Sequence, residues 1–209
     1  MLSNTVISER QISTLSARAI PKPASDQNTD DIIPARYMKE ITFSNVGEYV
    51  YIDERIKDGK EVQGHPFNNP KYRGAQILLA GPNYGCGSSR EHAPQALYRY
   101  GIRAVIAPSF AEIFAGNCAS LGLIAARVAP EAMEELLSFV EGSPEEELHI
   151  DLSSKLLSYG PKSTAIEMPE GRRRSFLDGT WDAMAVLMQN EEGIEGVRKS
   201  LDYLFPTSR

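Results

Sequence analysis

Short apolar runs alternate with helical patterns through the middle of the chain. Residues 75–80 form an apolar run bounded by Gly74 and Gly81, which is typical of a buried strand. The same alternation of helical and strand patterns continues at residues 93–100, 104–107, 110–121 and 123–128. Strands that alternate with helices across such short connections predict βαβ crossovers and a parallel core sheet.

The flanking segments add further elements to this core. Residues 15–20 predict a first strand, and residues 131–141 predict an amphipathic helix. Residues 43–70 are rich in Gly, Asn, Asp and Lys, and predict a long excursion with a short helix. Antiparallel strands are expected at residues 148–152, 155–159 and 164–168, a solvated loop at the arginine run 172–174, and one or two helices after Ser175. The whole pattern predicts a single α/β domain with a largely parallel core sheet and an antiparallel addition.

Charge and hydropathy argue against nucleic acid and membranes as partners and predict a location for the chain. The chain has 209 residues and a formal net charge of −6, which argues against non-specific binding to nucleic acid. No apolar run approaches the roughly eighteen residues of a membrane helix, so no membrane-spanning segment is expected. The first twenty residues include Glu9, Arg10 and Arg18 and show no signal-peptide core, which predicts a cytoplasmic location. An organellar transit peptide is the alternative, and Glu9 counts against it.

Metal ligands are scarce. The chain has two cysteines, Cys86 and Cys118, and three histidines, so neither a disulfide scaffold nor a zinc site is expected. Neither cysteine belongs to a C-x-x-C pair, and a four-thiolate iron–sulfur cluster is therefore not expected on this chain alone. We interpret both cysteines as small packed residues.

Residues 81–94 form a glycine-rich segment between a predicted buried strand and a predicted helix, where ligands bind in open α/β sheets. The segment is not a P-loop, because Cys86 and Gly87 stand where Gly and Lys are required. It is not a dinucleotide fingerprint, because Arg90 replaces a small residue. It is not a nucleophile elbow, because Glu91 occupies the position of the second glycine.

What remains is a Gly-x-Gly-Ser-Ser-Arg-Glu-His group at residues 85–92. Glycines bring the backbone close to a ligand and expose amide donors, while hydroxyls and a guanidinium suit a carboxylate. Each part also has a structural interpretation: a helix-capping turn, a surface pair of Arg90 and Glu91, and a buried His92. The combination of all these parts in one octet favours an anion site.

Three motifs, in this order and spacing, resemble the swivel domain of the aconitase family in the form found in isopropylmalate dehydratase small subunits. Residues 85–94 read Gly-Cys-Gly-Ser-Ser-Arg-Glu-His-Ala-Pro. Residues 28–37 read Asn-Thr-Asp-Asp-Ile-Ile-Pro-Ala-Arg-Tyr and are similar to the family's Asp-Thr-Asp-x-Ile-Ile-Pro-Ala-Arg segment. Residues 107–114 read Ala-Pro-Ser-Phe-Ala-Glu-Ile-Phe and corroborate the first motif.

The extent of the resemblance implies a domain organisation. It runs from about Leu15 to the C-terminus and weakens after Val128. It implies a single swivelling β/β/α-type domain over residues 15–209, preceded by an N-terminal extension at residues 1–14.

Carried over by position, the resemblance implies roles for five residues. Ser88 matches the serine that acts as catalytic base, and Arg90 matches the arginine that binds a substrate carboxylate, with Ser89 assisting it. Thr29 and Asp30 match substrate-binding positions, where Asp30 would orient the site; a turn-capping aspartate is the structural alternative. Amide donors and Arg90 would stabilise the serine alkoxide and supply local positive charge in an acidic chain.

The resemblance also implies a reaction, a cofactor and a partner. The reaction is the interconversion of 2-isopropylmalate and 3-isopropylmalate, small dicarboxylates of leucine biosynthesis, by dehydration and rehydration. A [4Fe–4S] cluster bound by a large subunit would act as Lewis acid on the leaving hydroxyl. Because the reaction needs groups from both chains, a large obligate interface is expected.

Two departures from the family pattern leave the substrate open. Asn28 stands where many relatives have Asp, and residues 42–47 read Thr-Phe-Ser-Asn-Val-Gly where bacterial relatives often carry Thr-Gly-Phe-Gly. That loop helps to select the substrate side chain in the family, so homoaconitate, 2,3-dimethylmalate and citramalate are alternative substrates. A non-catalytic module for small anions, or a structural subunit in which Ser88 no longer acts, are alternatives of another class.

Overall fold

The structure, a computed structural model, describes residues 10–39, 43–188 and 190–201. The strands in these ranges are β1 (Thr14–Lys22), β2 (Ile56–Lys57), β3 (Lys60–Glu61), β4 (Ile77–Ala80), β5 (Ala104–Ala107), β6 (Ile124–Arg127), β7 (Glu147–Asp151), β8 (Leu156–Tyr159) and β9 (Lys162–Ala165). The α-helices are α1 (Thr29–Ile32), α2 (Ile52–Arg55), α3 (His92–Tyr100), α4 (Glu112–Ala119), α5 (Pro130–Gly142), α6 (Glu170–Asp178), α7 (Ala183–Met188) and α8 (Glu191–Ser200). Short 3₁₀ turns lie at Ala35–Lys39, Val46–Tyr49, Pro66–Asn68 and Pro70–Tyr72.

One seven-stranded sheet organises the domain, with the strand order β6-β5-β4-β1-β7-β8-β9. β1 pairs in parallel with β4 and antiparallel with β7, so it joins a parallel half to an antiparallel half. β4, β5 and β6 continue the parallel half, and β7, β8 and β9 the antiparallel half. The predicted α/β class, with a largely parallel core sheet and an antiparallel addition, is confirmed.

The parallel half is buried on both faces, which explains why its strands are continuous apolar runs. Leu78 and Ala80 of β4 face a core covered by α3 and α4, while Ile77 and Leu79 face a second core covered by α5. The glycine-rich segment lies over the first of these cores, because Tyr84 belongs to it.

The excursion predicted at residues 43–70 packs against the same core. It contains the predicted short helix, α2, and the β2–β3 ribbon. Tyr51 precedes α2 with a φ of 52° and a fully buried side chain, and its amide donates to the carbonyl of Ile32 at 2.8 Å. The excursion therefore contributes to the interior near α1.

The C-terminal region differs from the sequence-based prediction. One or two helices are predicted after Ser175, whereas the described residues contain three, and α6 begins earlier, at Glu170. Phe176 is the buried residue of α6, so the apolar pattern from which helices are predicted is weak there. The helix start is instead stabilised by charge pairs.

The arginine run at residues 172–174 lies inside α6, so its interpretation as a solvated loop is wrong. Arg173 and Arg174 pair with Glu170 at 2.7 and 3.2 Å, with the helical spacings of three and four residues. Arg172 instead pairs with Glu112 of α4. The run therefore stabilises the first turn of α6 and joins this helix to α4.

Other differences concern the ends of elements. The strand predicted at residues 164–168 is β9, which starts and ends earlier, and Glu167 forms a separate bridge with Arg127. The helix predicted at residues 110–121 is the shorter α4. No helix in the described ranges is long and apolar enough to cross a membrane. Residues 1–9 of the predicted N-terminal extension, and Thr42, lie outside the described residues.

Candidate active site

The glycine-rich segment and the segment after β1 meet at one edge of the sheet. β1 ends at Lys22, which pairs with Ala80, the last residue of β4. Because these strands are parallel neighbours, the chain leaves both at the same edge, where ligands bind in open α/β sheets. Residues 23–31 and 81–91 therefore lie side by side and bring the first two motifs together.

Hydrogen bonds tie the two segments to each other. The amide of Gly85 donates to the carbonyl of Gln27 at 2.8 Å, and the amide of Thr29 donates to the carbonyl of Cys86 at 2.9 Å. The thiol of Cys86 donates to the carbonyl of Asp26 at 3.3 Å. These contacts determine where α1 begins relative to the glycine loop, so that side chains of both motifs share one surface.

Glycine is required at residue 85 by the close approach of Phe114. Gly85 has a φ of +75°, and a Cβ atom there would lie 2.1 Å from Cγ of Phe114. Gly81 is constrained in the same way, since its Cβ would lie 2.4 Å from the carbonyl oxygen of Ala24. These two glycines thus allow the loop to pack against its neighbours.

Two amides of the loop are occupied by protein acceptors. The sequence predicts exposed amide donors here, but the Gly85 amide bonds to Gln27, and the Ser88 amide donates to Oγ1 of Thr29 at 3.3 Å. Both N–H groups therefore hold the loop in place and are not offered to a ligand. An anion bound here would be stabilised by Arg90 and by the other donors of the site.

Helix α1 is capped by Asn28, which leaves the carboxylate of Asp30 free for another contact. The Asn28 side chain accepts from the amides of Asp30 and Asp31 at 2.7 and 2.9 Å. The Asp31 carboxylate accepts from the Asn28 amide at 2.8 Å, which completes a capping box. Turn capping therefore belongs to Asn28 and Asp31. Since Asn caps a helix as well as Asp does, the departure at residue 28 preserves the geometry.

The free carboxylate of Asp30 binds Arg90. Nη1 of Arg90 lies 2.5 Å from Oδ1 of Asp30, and Nη2 lies 3.5 Å from Oδ2. Asp30 thus engages the terminal nitrogens, and Nε with the outer N–H groups can bind a second carboxylate. The alternative pair of Arg90 with Glu91 is not formed in the described residues: the Arg90 guanidinium pairs with Asp30, and the Glu91 carboxylate accepts from Gln95 at 3.0 Å.

Ser88 is half-buried and its backbone is held by Thr29. Oγ1 of Thr29 accepts from the Ser88 amide and donates to the Ser88 carbonyl at 3.4 Å. Thr29 is only 2% exposed, so its hydroxyl serves Ser88 and does not face the solvent. In the part of the chain that the structure describes, the hydrogen bonds of Ser88 are made by its backbone. Its side-chain hydroxyl is therefore available for chemistry.

The third motif supports the glycine loop from the neighbouring strand. The amide of Asn83 donates to Oγ of Ser109 at 2.8 Å, and the amide of Tyr84 donates to the Ser109 carbonyl at 3.1 Å. Ser89, which is exposed, has its carbonyl bound by the side-chain amide of Asn117 at 3.2 Å. Sequence analysis missed Asn117, because a polar residue within a helical pattern gives no sign of its partner.

A cluster of polar side chains lies beneath the two segments. Lys22, whose side chain is 9% exposed, pairs with Glu54 at 2.8 Å, and Gln27 donates to the same carboxylate at 3.4 Å. The hydroxyls of Tyr51 and Tyr84 lie 2.5 Å apart, and burial raises the pKa of both tyrosines, so they stay neutral. No sequence signal revealed this cluster, because its members come from distant segments.

His65 completes this buried cluster. Its Nδ1 accepts from the amide of Phe67 at 3.3 Å, which leaves the proton of the neutral ring on Nε2, 3.7 Å from the carboxylate of Glu54. Burial, and then the charge of Lys22, lower the pKa of His65. His65 is therefore neutral at neutral pH.

The described residues do not fit an iron–sulfur cluster. They contain no group of three or more His, Cys, Asp and Glu side chains that could hold a metal ion. Cys118 is fully buried, and burial raises the pKa of its thiol, so its interpretation as a packed residue is confirmed. Cys86 is only half-buried and lies in the site loop.

Comparison with known proteins identifies the class of this domain. Residues 10–131 match the aconitase C-terminal domain. The chain is 40% identical over 193 residues to the 3-isopropylmalate dehydratase small subunit of Thermus thermophilus, with 92% of this chain and 96% of that protein covered. The protein of the same name from Synechocystis is 37% identical over 194 residues, with 93% and 96% covered.

A solved structure agrees with these relatives. The crystal structure of 3-isopropylmalate dehydratase from Methanocaldococcus jannaschii gives a TM-score of 0.61 at 26% identity, over 86% of this chain and 99% of that one. The chain therefore belongs to the aconitase C-terminal domain family, and within it to the 3-isopropylmalate dehydratase small subunits. The resemblance inferred from the three motifs is confirmed.

Proposed function

We propose that this chain is the small subunit of a hydro-lyase that interconverts 2-isopropylmalate and 3-isopropylmalate in leucine biosynthesis. One arrangement carries the proposal: the available hydroxyl of Ser88 lies on the loop whose end holds Arg90 against Asp30. Relatives that are 37% and 40% identical and named for this dehydratase support the reaction and the substrate.

The residues of the site have two kinds of role, proton transfer and substrate binding. As an alkoxide, Ser88 Oγ accepts the proton from the carbon next to a substrate carboxylate and becomes the hydroxyl, which returns the proton in the reverse step. Arg90 binds that carboxylate through the N–H groups that Asp30 leaves free, and Ser89 assists with its exposed hydroxyl. Thr29 contributes by holding the backbone of Ser88. Arg90 thereby supplies the local positive charge that an acidic chain needs to bind an anionic substrate.

A large subunit completes the site. The relatives are named as small subunits, and the described residues offer no ligand set for a cluster, so a [4Fe–4S] cluster would be held by the large subunit. The substrate is a small dicarboxylate, and neither nucleic acid nor membrane takes part. The two free cysteines fit a reducing compartment such as the cytoplasm.

The first experiment is reconstitution of this chain with the large subunit of its own organism, with the cluster loaded anaerobically. The absorbance of the unsaturated intermediate is followed with 3-isopropylmalate, homoaconitate, 2,3-dimethylmalate and citramalate in turn. We expect turnover that needs both chains and is fastest with 3-isopropylmalate. In Ser88→Ala we expect kcat to fall by at least about 100-fold, because the proton acceptor is lost.

The control is Ser138→Ala, at an exposed serine on the far face of α5, which we expect to leave turnover unchanged. Preference for another substrate would keep the reaction class and change the pathway. Full activity of Ser88→Ala would show a structural subunit. A formed complex that turns over none of the four substrates would favour the non-catalytic anion-binding module.

A further inference from the structure

Glu54 joins the two ends of the loop that leads from β1 into the site. Its carboxylate accepts from Nζ of Lys22, at the start of the loop, and from Nε2 of Gln27, at its end. The residues in between, 23–26, pack directly on the glycine loop, where there is no room for a Cβ atom at Gly81. One carboxylate therefore closes the loop that determines how the two segments meet.

The chemistry of this pair favours a role in placement over a role in stability. Lys22 is nearly buried and lies 4.9 Å from the centre of the Tyr51 ring, whereas Glu54 is partly exposed. Charges that lose water on folding gain little net stability from each other, because the cost of desolvation offsets their attraction. Such a pair does restrict the loop to one arrangement.

A short series of contacts connects Gln27 to the substrate-binding guanidinium of Arg90. The carbonyl of Gln27 binds the Gly85 amide, the next residue, Asn28, caps α1, and Asp30 in the first turn of α1 holds Arg90. α1 has only four residues, so it lacks the stability of a longer helix. Its position therefore depends on the contacts at its start.

We propose that Glu54 is a positioning residue that sets the placement of Asp30 and, through it, of the Arg90 guanidinium. This inference rests on the proposed function, in which Arg90 binds the substrate carboxylate. A misplacement of about 1 Å at such a group lowers kcat/KM by up to about 100-fold. Because Arg90 binds the carboxylate before and during the reaction, its misplacement raises KM more than it lowers kcat.

The test uses Lys22→Met/Glu54→Gln in the assembled two-subunit enzyme. The double substitution removes both charges and keeps the lengths of the side chains, so we expect a melting temperature within about 5 °C of the unsubstituted protein. We expect KM for 3-isopropylmalate to rise about 10-fold, with kcat within about 3-fold. A merely structural pair would leave KM unchanged in a variant that folds normally.

A second variant keeps the ion pair and removes the contact of Glu54 with Gln27. Gln27→Met removes the side-chain amide that donates to Glu54, and we expect KM to rise by about 3-fold to 10-fold. The matched control is Lys162→Met/Glu135→Gln, which removes a pair of the same chemistry, 2.7 Å apart, between α5 and β9. The control is expected to keep both KM and kcat.

The outcomes separate this inference from the proposed function. If the unsubstituted complex turns over and both variants keep its KM, Glu54 has no positioning role and the inference is overturned. If the unsubstituted complex has no activity, the proposed function fails first and the inference fails with it. A raised KM in both variants, with the control unchanged, supports the positioning role.

Discussion

The guanidinium of Arg90 lies 2.5 Å from the carboxylate of Asp30, although the two residues are 60 positions apart in the chain. The pair joins the first turn of α1 to the end of the glycine loop and lies beside Ser88, whose backbone is held by Thr29. The proposed carboxylate-binding group and the proposed proton acceptor are thus placed by the same short segment, residues 28–30.

The first prediction concerns the charge of Asp30. In the assembled enzyme, Asp30→Asn is expected to raise KM about 10-fold, because a neutral amide holds the Arg90 guanidinium less firmly. The melting temperature should change little, since an exposed pair contributes at most about 1 kcal/mol. Steady-state kinetics and thermal unfolding measure both. The control is Asp182→Asn, in the comparably exposed pair with Arg10; an unchanged KM for Asp30→Asn would contradict the assignment.

The second prediction concerns the packing of Gly85. We expect Gly85→Ala to destabilise the chain by about 3 kcal/mol or more, because the new Cβ meets the Phe114 ring at a backbone angle that L-residues rarely adopt. Urea unfolding of the isolated chain measures this. Gly171→Ala in α6, where nothing lies within 4 Å of the new Cβ, should stabilise the chain by up to about 1 kcal/mol.

A double variant separates the steric effect from the backbone effect at this site. Gly85→Ala/Phe114→Leu removes the ring that the new Cβ meets, and should recover only part of the lost free energy of unfolding, since the φ of +75° is unchanged. Equal stability of Gly85→Ala and the unsubstituted chain would show that the loop does not approach Phe114 closely.

The third prediction concerns the two thiols. A soluble maleimide should modify Cys86 in the native chain and leave Cys118 unmodified, because Cys118 is buried and burial raises the pKa of its thiol. Mass spectrometry of peptides after labelling, with and without denaturant, measures both sites. Labelling at Cys86 should also abolish turnover, since Ser88 is two residues away. Native labelling of Cys118 would contradict the described packing.

The fourth prediction concerns pH and His65. Burial lowers the pKa of His65 below the value near 6.5 that it has in the unfolded chain. The unfolded state therefore binds more protons below about pH 6.5, and the free energy of unfolding falls as the pH drops from that value towards the folded pKa. Urea unfolding between about pH 8 and about pH 5 should show a smaller loss for His65→Gln. An equal loss in His65→Gln and in the unsubstituted chain would contradict this assignment.

Helix prediction failed where charge pairs, and not an apolar stripe, stabilise the helix. α6 buries Phe176 and begins with a carboxylate, Glu170, that pairs with Arg173 and Arg174. Periodicity detects burial, so an arginine run is readily interpreted as a loop. The strands of the parallel half were predicted well for the converse reason, since burial on both faces leaves continuous apolar runs.

The sequence by itself determined the class of the fold and the place of the candidate site. Apolar runs, the glycines that bound them and the order of Ser88, Ser89 and Arg90 are local properties that can be identified from the amino-acid sequence alone. Only the tertiary structure decided the pair of Arg90 with Asp30 and the closure of the β1 loop by Glu54. Such contacts depend on how segments that are far apart in the sequence pack across the sheet. Local propensities do not determine which residues of those segments come into contact.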